Sequence, residues 1–179
     1  MTAAPTLLTG RLRLRAHELR DFEPVLAMSA DPAVHRFIGG APADRAQVWE
    51  KFLRGPGFWP LLGFGLWVVE ERAAGAFVGQ IGFGRFERAI DPSLPDWPEG
   101  AWVLASEHHG KGFASEALAA ALAWADDALR SPLCCIIAPE NGGSLALAHR
   151  HGFRDVRRAA YHGADTTVLE RPAPPAVSA

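Results

Sequence analysis

The chain has only two cysteines in 179 residues, and they are neighbours, Cys134 and Cys135. Adjacent side chains on a strand point to opposite faces, so geometry disfavours a structural disulfide between them. The absence of a disulfide framework fits a reducing, cytoplasmic setting. No apolar run approaches the roughly 20 residues that a membrane-crossing helix needs. The opening Met-Thr-Ala-Ala-Pro-Thr lacks the charged start and apolar core of a secretory signal. Neither sign of charge dominates: 18 Lys and Arg against 20 Asp and Glu leave a formal charge of only −2. The cationic residues are scattered, which argues against a phosphate-backbone footprint, and there is no acidic tail. The apolar fraction of 49% and charged fraction of 21% are those of an ordinary globular domain, and the length suits one buried core. The expectation is a single domain over residues 1–179, with its core over 10–171, a disordered proline-rich tail over 172–179, and neither a nucleic-acid nor a membrane partner.

What is present alternates between strand and helix patterns. Arg11-Leu12-Arg13-Leu14-Arg15 alternates strictly, which predicts a half-buried strand with the leucines inward and the arginines in solvent. Asp21 is placed to cap a helix carrying Phe22, Val25, Leu26 and Met28 on one side. Asp31-Pro32 starts a second, short helix that Gly39-Gly40 ends, and a third follows from about Ala43 to Leu53. Residues 55–65 are dense in glycine and proline and read as a loop. Its aromatics make it either a hydrophobic plug over the core or a wall of a substrate cleft, with Phe58 and Trp59 binding an apolar substrate. Leu66 to Glu70 and Ala76 to Phe83 read as a hairpin, whereas three prolines exclude a ladder over residues 88–98. Ala101 to Leu104 is a short strand, and residues 112–130 carry a strong helical repeat that Ser131-Pro132 stops. Leu133 to Ala138 is a buried strand, Asn141 to Ser144 is a turn into a short helix over Leu145 to Arg150, and Val156 to Tyr161 and Thr166 to Glu170 close the chain as strands.

The rest is organised around Glu99 to Glu116. A strand, a glycine-rich turn and a long helix in that order place backbone N–H groups at a positive helix terminus, a site that attracts phosphate. It is not a nucleotide P-loop, because Lys111 is followed by Gly112 and not by a magnesium-binding Ser or Thr. It is not a dinucleotide fingerprint, because Gly110-Lys111-Gly112-Phe113-Ala114-Ser115 lacks the third glycine. What remains suits a pyrophosphate held without metal. His108, His109, His149 and His151 do not supply a tetrahedral set either, so no metal site is expected.

His109-Gly110-Lys111-Gly112-Phe113-Ala114 resembles the acyl-CoA signature, Arg/Gln-x-x-Gly-x-Gly/Ala, of the GNAT superfamily of N-acetyltransferases. The wording through Ser115-Glu116-Ala117 is most similar to the ribosomal-protein N-acetyltransferase-like (RimJ/RimL-type) branch. Arg11 to Arg15 resembles that branch's first strand, and Asn141 through Ser144 to Gly152-Phe153 resembles its second signature, Asn-x-x-Ser…Gly-Phe. The order and spacing agree over about residues 10–171. His109 departs from the consensus Arg or Gln.

The resemblance implies an α/β fold with a mixed, mostly antiparallel central sheet flanked by helices and with splayed central strands. It implies acetyl-CoA as co-substrate and transfer of its acetyl group to a primary amine, a small molecule or a protein N-terminus, by direct attack in a ternary complex. Trp102, Val103 and Leu104 would pair with the pantetheine arm, and a backbone N–H near Leu104 would polarise the thioester carbonyl. The backbone of His109, Gly110, Lys111, Gly112, Phe113 and Ala114 would hold the pyrophosphate, with Ser144 on the arm and Asn141 either bonding the cofactor's amide or simply shaping the turn. Acyl transfer to an amine also needs a base for the ammonium proton and an acid for the thiolate. Glu99 is the candidate base, or else a solvated residue closing a proline loop. Ser144 is a candidate acid or a helix N-cap, and Tyr161, the sole tyrosine, is a candidate acid or a core residue. The alternatives in function are a non-catalytic acyl-CoA-binding module and an enzyme using another acyl-CoA. The protein would act as a monomer or homodimer.

Overall fold

A computed structural model describes residues 3–38 and 44–175. They divide into two compact units, one within Met1–Gly84 and Ala101–Ala121, the other within Arg85–Gly100 and Leu122–Ala179. The fold is α/β, a mixed and mostly antiparallel sheet with helices. Strands β1 (Leu7–Leu8), β2 (Leu12–Arg15), β3 (Leu66–Glu71) and β4 (Phe77–Gly84) of the first unit follow one another as antiparallel neighbours. Next to β4 lies β6 (Glu99–Leu104). The first unit also holds α1 (Phe22–Ala30), α2 (Pro32–His35) and α3 (Arg45–Leu62). In the second unit β5 (Ile90–Asp91), β8 (Arg154–Tyr161), β9 (Ala164–Arg171) and β7 (Leu133–Ile137) are successive antiparallel neighbours, and α5 spans Gly142–Arg150. Helix α4 (Phe113–Ala128) runs on from β6. The β6–β7 ladder is parallel and is a single register pair, Glu99↔Cys134.

The alternating sequence of β2 does what its pattern predicts for the leucines: Leu12 and Leu14 are fully buried. Arg11 is exposed and Arg13 half-exposed, as expected of a solvated face, whereas Arg15 corrects the expectation. Arg15 is 8% exposed, its Nε donating to Glu70 Oε2 at 2.7 Å and its two NH groups to the Asp21 oxygens at 2.7 Å each. Asp21 therefore spends its carboxylate on Arg15 and on the Glu18 N–H, and makes no side-chain cap on α1. Burial alone would raise the pKa of Asp21 and of Glu70, but Arg15 holds both below the ordinary carboxylate range.

Residues 55–62 are the larger correction. They continue α3 instead of forming a loop, with Pro56 and Pro60 inside the helix. Each proline removes one backbone donor. The helix is kept by the stripe it buries, Val48, Phe52, Gly55, Phe58 and Trp59, whose spacing is helical throughout. Phe52 packs with Phe22, Val25 and Val48, and Trp59 meets Trp67 edge-to-face at 4.7 Å between centroids. Large side chains of this kind stabilise by about 1.5–3 kcal/mol each when fully buried. Gly63, left-handed at φ 79°, ends the helix and donates its N–H to Trp59 O at 3.0 Å.

A smaller correction concerns residues 88–98, where β5 does pair with β8 through Ile90↔Tyr161 and Asp91↔Ala160. Ile90 packs with Ala159 and Val168 and so anchors the proline segment. The expected stop at Gly39-Gly40 and the expected start at Ala43 lie outside the described residues, as does 176–179 of the tail.

Candidate active site

The glycine turn sits where the sequence puts it. β6 ends at Leu104, a single 3-10 turn covers Ser106–His108, and Gly110 and Gly112 adopt φ of 73° and 78° before α4 begins at Phe113. These left-handed conformations are open to glycine and costly for residues with a Cβ. The first intrahelical bond runs from Glu116 N to Gly112 O at 3.1 Å, so the amides before it have no carbonyl upstream in the helix. His109 is not an orphan on this turn. Its Nε2 lies 2.9 Å from Leu104 O, and since a carbonyl only accepts, the proton is on Nε2. Ser106 donates its hydroxyl to Asp31, which also accepts the Ala33 N–H at 2.8 Å as the cap of α2. The Ser106 bond first, then the Ala33 amide, lower the Asp31 pKa.

Leu104 is 6% exposed and Trp102 and Val103 are half-buried. β4 comes so close to β6 that a Cβ on Gly79 would lie 2.3 Å from Val103 O and 2.7 Å from Leu104 Cα. Glycine at position 79 is what lets the two strands meet there.

In the second unit the structure brings Glu99 and Tyr161 together through a residue the sequence did not single out. Glu99 is 4% exposed. Arg88 Nε donates to its two carboxylate oxygens at 2.7 and 2.9 Å, and Arg88 NH1 donates to the Tyr161 hydroxyl at 3.0 Å. Burial works to lower the Arg88 pKa, and Glu99 together with Tyr161 more than offsets it. Glu99 is thus neither solvated nor a loop closure. It is the first residue of β6 and the counter-ion of a half-buried guanidinium. No local signal marks Arg88, because its partners are 11 and 73 residues away.

Asn141, not Ser144, is the N-cap of α5: its Oδ1 accepts from Ser144 N at 3.1 Å. This corrects the capping alternative for Ser144, which is the third residue of the helix. Phe58 and Trp59 do not line a loop. They are 8% and 3% exposed in α3, and the Trp59 indole donates to Leu66 O at 3.0 Å. The two cysteines are buried, with the Cys134 thiol pushed up to about 12 by burial and then by Glu99, and Cys135 raised as well. Among the described residues no group of three His, Cys, Asp or Glu is placed to hold a metal, and no described helix is long and apolar enough to cross a membrane.

The family model of the GNAT acetyltransferase domain matches residues 11–154. The chain belongs to the GNAT acetyltransferase family. A Bordetella pertussis protein described as a GNAT-family acetyltransferase is similar to this GNAT chain at a TM-score of 0.82 and 33% identity, covering 94% of this chain and 99% of the other. The Bacillus subtilis protein YkkB is 28% identical over 155 residues, 86% of this chain and 87% of that protein. The spermidine N-acetyltransferase of Vibrio cholerae, solved with CoA and spermine, shares the GNAT fold at a TM-score of 0.71 and 19% identity over 92% and 97% of the two chains.

Proposed function

We propose that this GNAT protein transfers the acetyl group of acetyl-CoA to a primary amine, either a small molecule or a protein N-terminus. The observation that carries the reading is the turn between β6 and α4, with Gly110 and Gly112 both left-handed and followed directly by a helix N-terminus. In this reading the backbone of residues 109–114 holds the pyrophosphate, Trp102 to Leu104 pair with the pantetheine arm, and Asn141 and Ser144 also contact the arm. The family match, residues 11–154, takes in part of each unit, which supports treating the two as one acyltransferase domain.

The amine nitrogen attacks the thioester carbonyl carbon, the C–S bond breaks, and the thiolate leaves with a proton. The Leu104 N–H faces the developing oxyanion, Glu99 takes the ammonium proton directly or through water, and Tyr161 or Ser144 supplies the thiolate proton. Tyr161 accepts from Arg88 NH1, so its own O–H is available to donate. Two buried thiols with raised pKa values are poor nucleophiles, which supports direct attack over an acyl-enzyme.

Acetyl-CoA at saturation should raise the melting temperature of the wild type, and Gly110→Asp with Gly112→Asp should abolish the rise. No rise with any acyl-CoA would sink the reading. One observation favours a second reading, an acyl-CoA-binding module without turnover: the Glu99 carboxylate is already engaged by Arg88. Release of CoA measured across amines and N-terminal peptides, with acetyl, propionyl and succinyl donors, separates the two.

A further inference from the structure

The glycine turn is braced from behind by Arg11. Its NH1 donates to Lys111 O at 2.9 Å, its Nε to Glu116 Oε2 at 2.7 Å, and its backbone N–H to Glu116 Oε1 at 2.8 Å. The guanidinium carbon lies 4.6 Å from the centre of the Phe113 ring, and NH2 lies 3.4 Å from where a Cβ on Gly112 would be. The Lys111 carbonyl and the Gly112 N–H belong to one peptide unit. In a planar trans peptide these groups point to opposite sides. Holding the carbonyl on Arg11 therefore aims the Gly112 N–H away from Arg11, and donation to the carbonyl polarises that N–H as a stronger donor.

Arg11 also settles a charge. Glu116 stands in the first turn of α4, where an unneutralised carboxylate would oppose an incoming phosphate. Burial alone would raise its pKa, but the Thr9 hydroxyl, at 2.5 Å, and the amide and guanidinium of Arg11 hold it below the ordinary range. Glu116 is therefore ionised at neutral pH, and Arg11 is the cation that faces it.

We propose that Arg11 is a positioning residue for acyl-CoA: it presets the Gly112 amide toward the pyrophosphate and cancels the charge of Glu116. The proposal rests on the acyl-CoA reading above. Its test uses the full chain, with acetyl-CoA affinity by calorimetry, steady-state kinetics with the best acceptor, and amide hydrogen exchange in the unliganded protein. Arg11→Gln should raise both Kd and KM for acetyl-CoA about tenfold, leave kcat and the acceptor KM within about twofold, and speed exchange at Gly112. Adding Glu116→Gln should restore about threefold of the lost affinity by removing the exposed charge. Unchanged acetyl-CoA KM in Arg11→Gln, or a loss shared equally by acceptor KM and kcat, overturns the proposal. Should Arg11→Gln fail to fold, Arg11→Met carries the test, because it keeps an apolar contact on Phe113 and removes both the charge and every side-chain donor; wild-type affinity in that variant overturns the proposal. A wild type that binds no acyl-CoA overturns the functional reading and this role with it, whereas wild-type binding left intact by loss of Arg11 overturns this role alone.

Discussion

Arg88 grips Glu99 with one nitrogen, Nε lying 2.7 and 2.9 Å from the two carboxylate oxygens, and spends NH1 on the Tyr161 hydroxyl. A carboxylate proposed as a base is thus also half of a largely buried ion pair, with side-chain exposures of 22% and 6%. Glu99→Gln would confound the two jobs, because removing one partner leaves an uncompensated buried charge. It should cost about 3 kcal/mol in urea unfolding whether or not Glu99 handles protons. Replacing both partners by apolar residues of similar volume, Arg88→Met with Glu99→Leu, should return most of that stability. If Glu99 is the base, the stable double variant still lacks turnover while keeping acetyl-CoA affinity. Turnover at the wild-type rate in the double variant would remove Glu99 from the mechanism.

His17 gives the first unit a pH dependence of its own. Its Nε2 lies 2.7 Å from Gln80 Nε2, its ring packs edge-on to Phe52, and burial first of all pushes its pKa down to about 4. The neighbouring Asp21 acts to raise it and Arg15 to lower it further. The folded value lies below the ordinary 6.5, so between the two the unfolded chain binds the extra proton. Stability is therefore full above pH 6.5 and falls as the pH drops toward 4, by up to about 3 kcal/mol on this group. His17→Gln should flatten the melting temperature across that window. A slope unchanged in the variant would show that His17 is not its source. Below the window the carboxylates of Asp21 and Glu70, whose folded values are depressed, withdraw their own contribution as they protonate.

How much of this was legible in the sequence depended on whether the signal was local. The period-2 pattern of Leu12 and Leu14, the hairpin of β3 and β4, and the helical repeat of α4 all stand where the residues placed them. The glycine turn was legible because a left-handed backbone leaves its mark in residue type. Two kinds of feature escaped. In α3 the glycines and prolines at 55, 56, 57 and 60 outweighed a buried stripe that was present all along at Phe52, Gly55 and Trp59. Ion pairs escaped because they join distant segments: nothing near Arg15 announces Glu70, 55 residues away, and nothing near Arg88 announces Tyr161.

The reassignment of α3 is testable at Trp59. A core indole that donates to Leu66 O predicts that Trp59→Phe costs about 1–2 kcal/mol through the lost bond and the smaller ring. Activity below the melting transition, and the KM of every acceptor, should stay at wild-type values. A selective rise in the KM of an apolar acceptor, with stability unchanged, would instead restore Trp59 to a substrate wall.

The packing of β6 against β4 bears on the proposed chemistry. Alanine at Gly79 would set a Cβ 2.3 Å from Val103 O, and alanine at Gly82 would set one 2.3 Å from Gly65 O. Both contacts are with backbone, so a strand has to move in each case, and each variant should lose at least about 3 kcal/mol. The displaced strands differ. Gly82 pushes on Leu66 at the start of β3, while Gly79 pushes on Val103 and Leu104 in β6. If the Leu104 N–H polarises the thioester carbonyl, a shift of a fraction of an ångström there is felt in the transition state. Gly79→Ala should then lose about 100-fold in kcat at a temperature where both variants are folded. Gly82→Ala, equally destabilised, should keep kcat within about threefold of wild type. Equal kcat in the two variants would break the link between Leu104 and the oxyanion, because the same clash would have been applied on β6 without consequence.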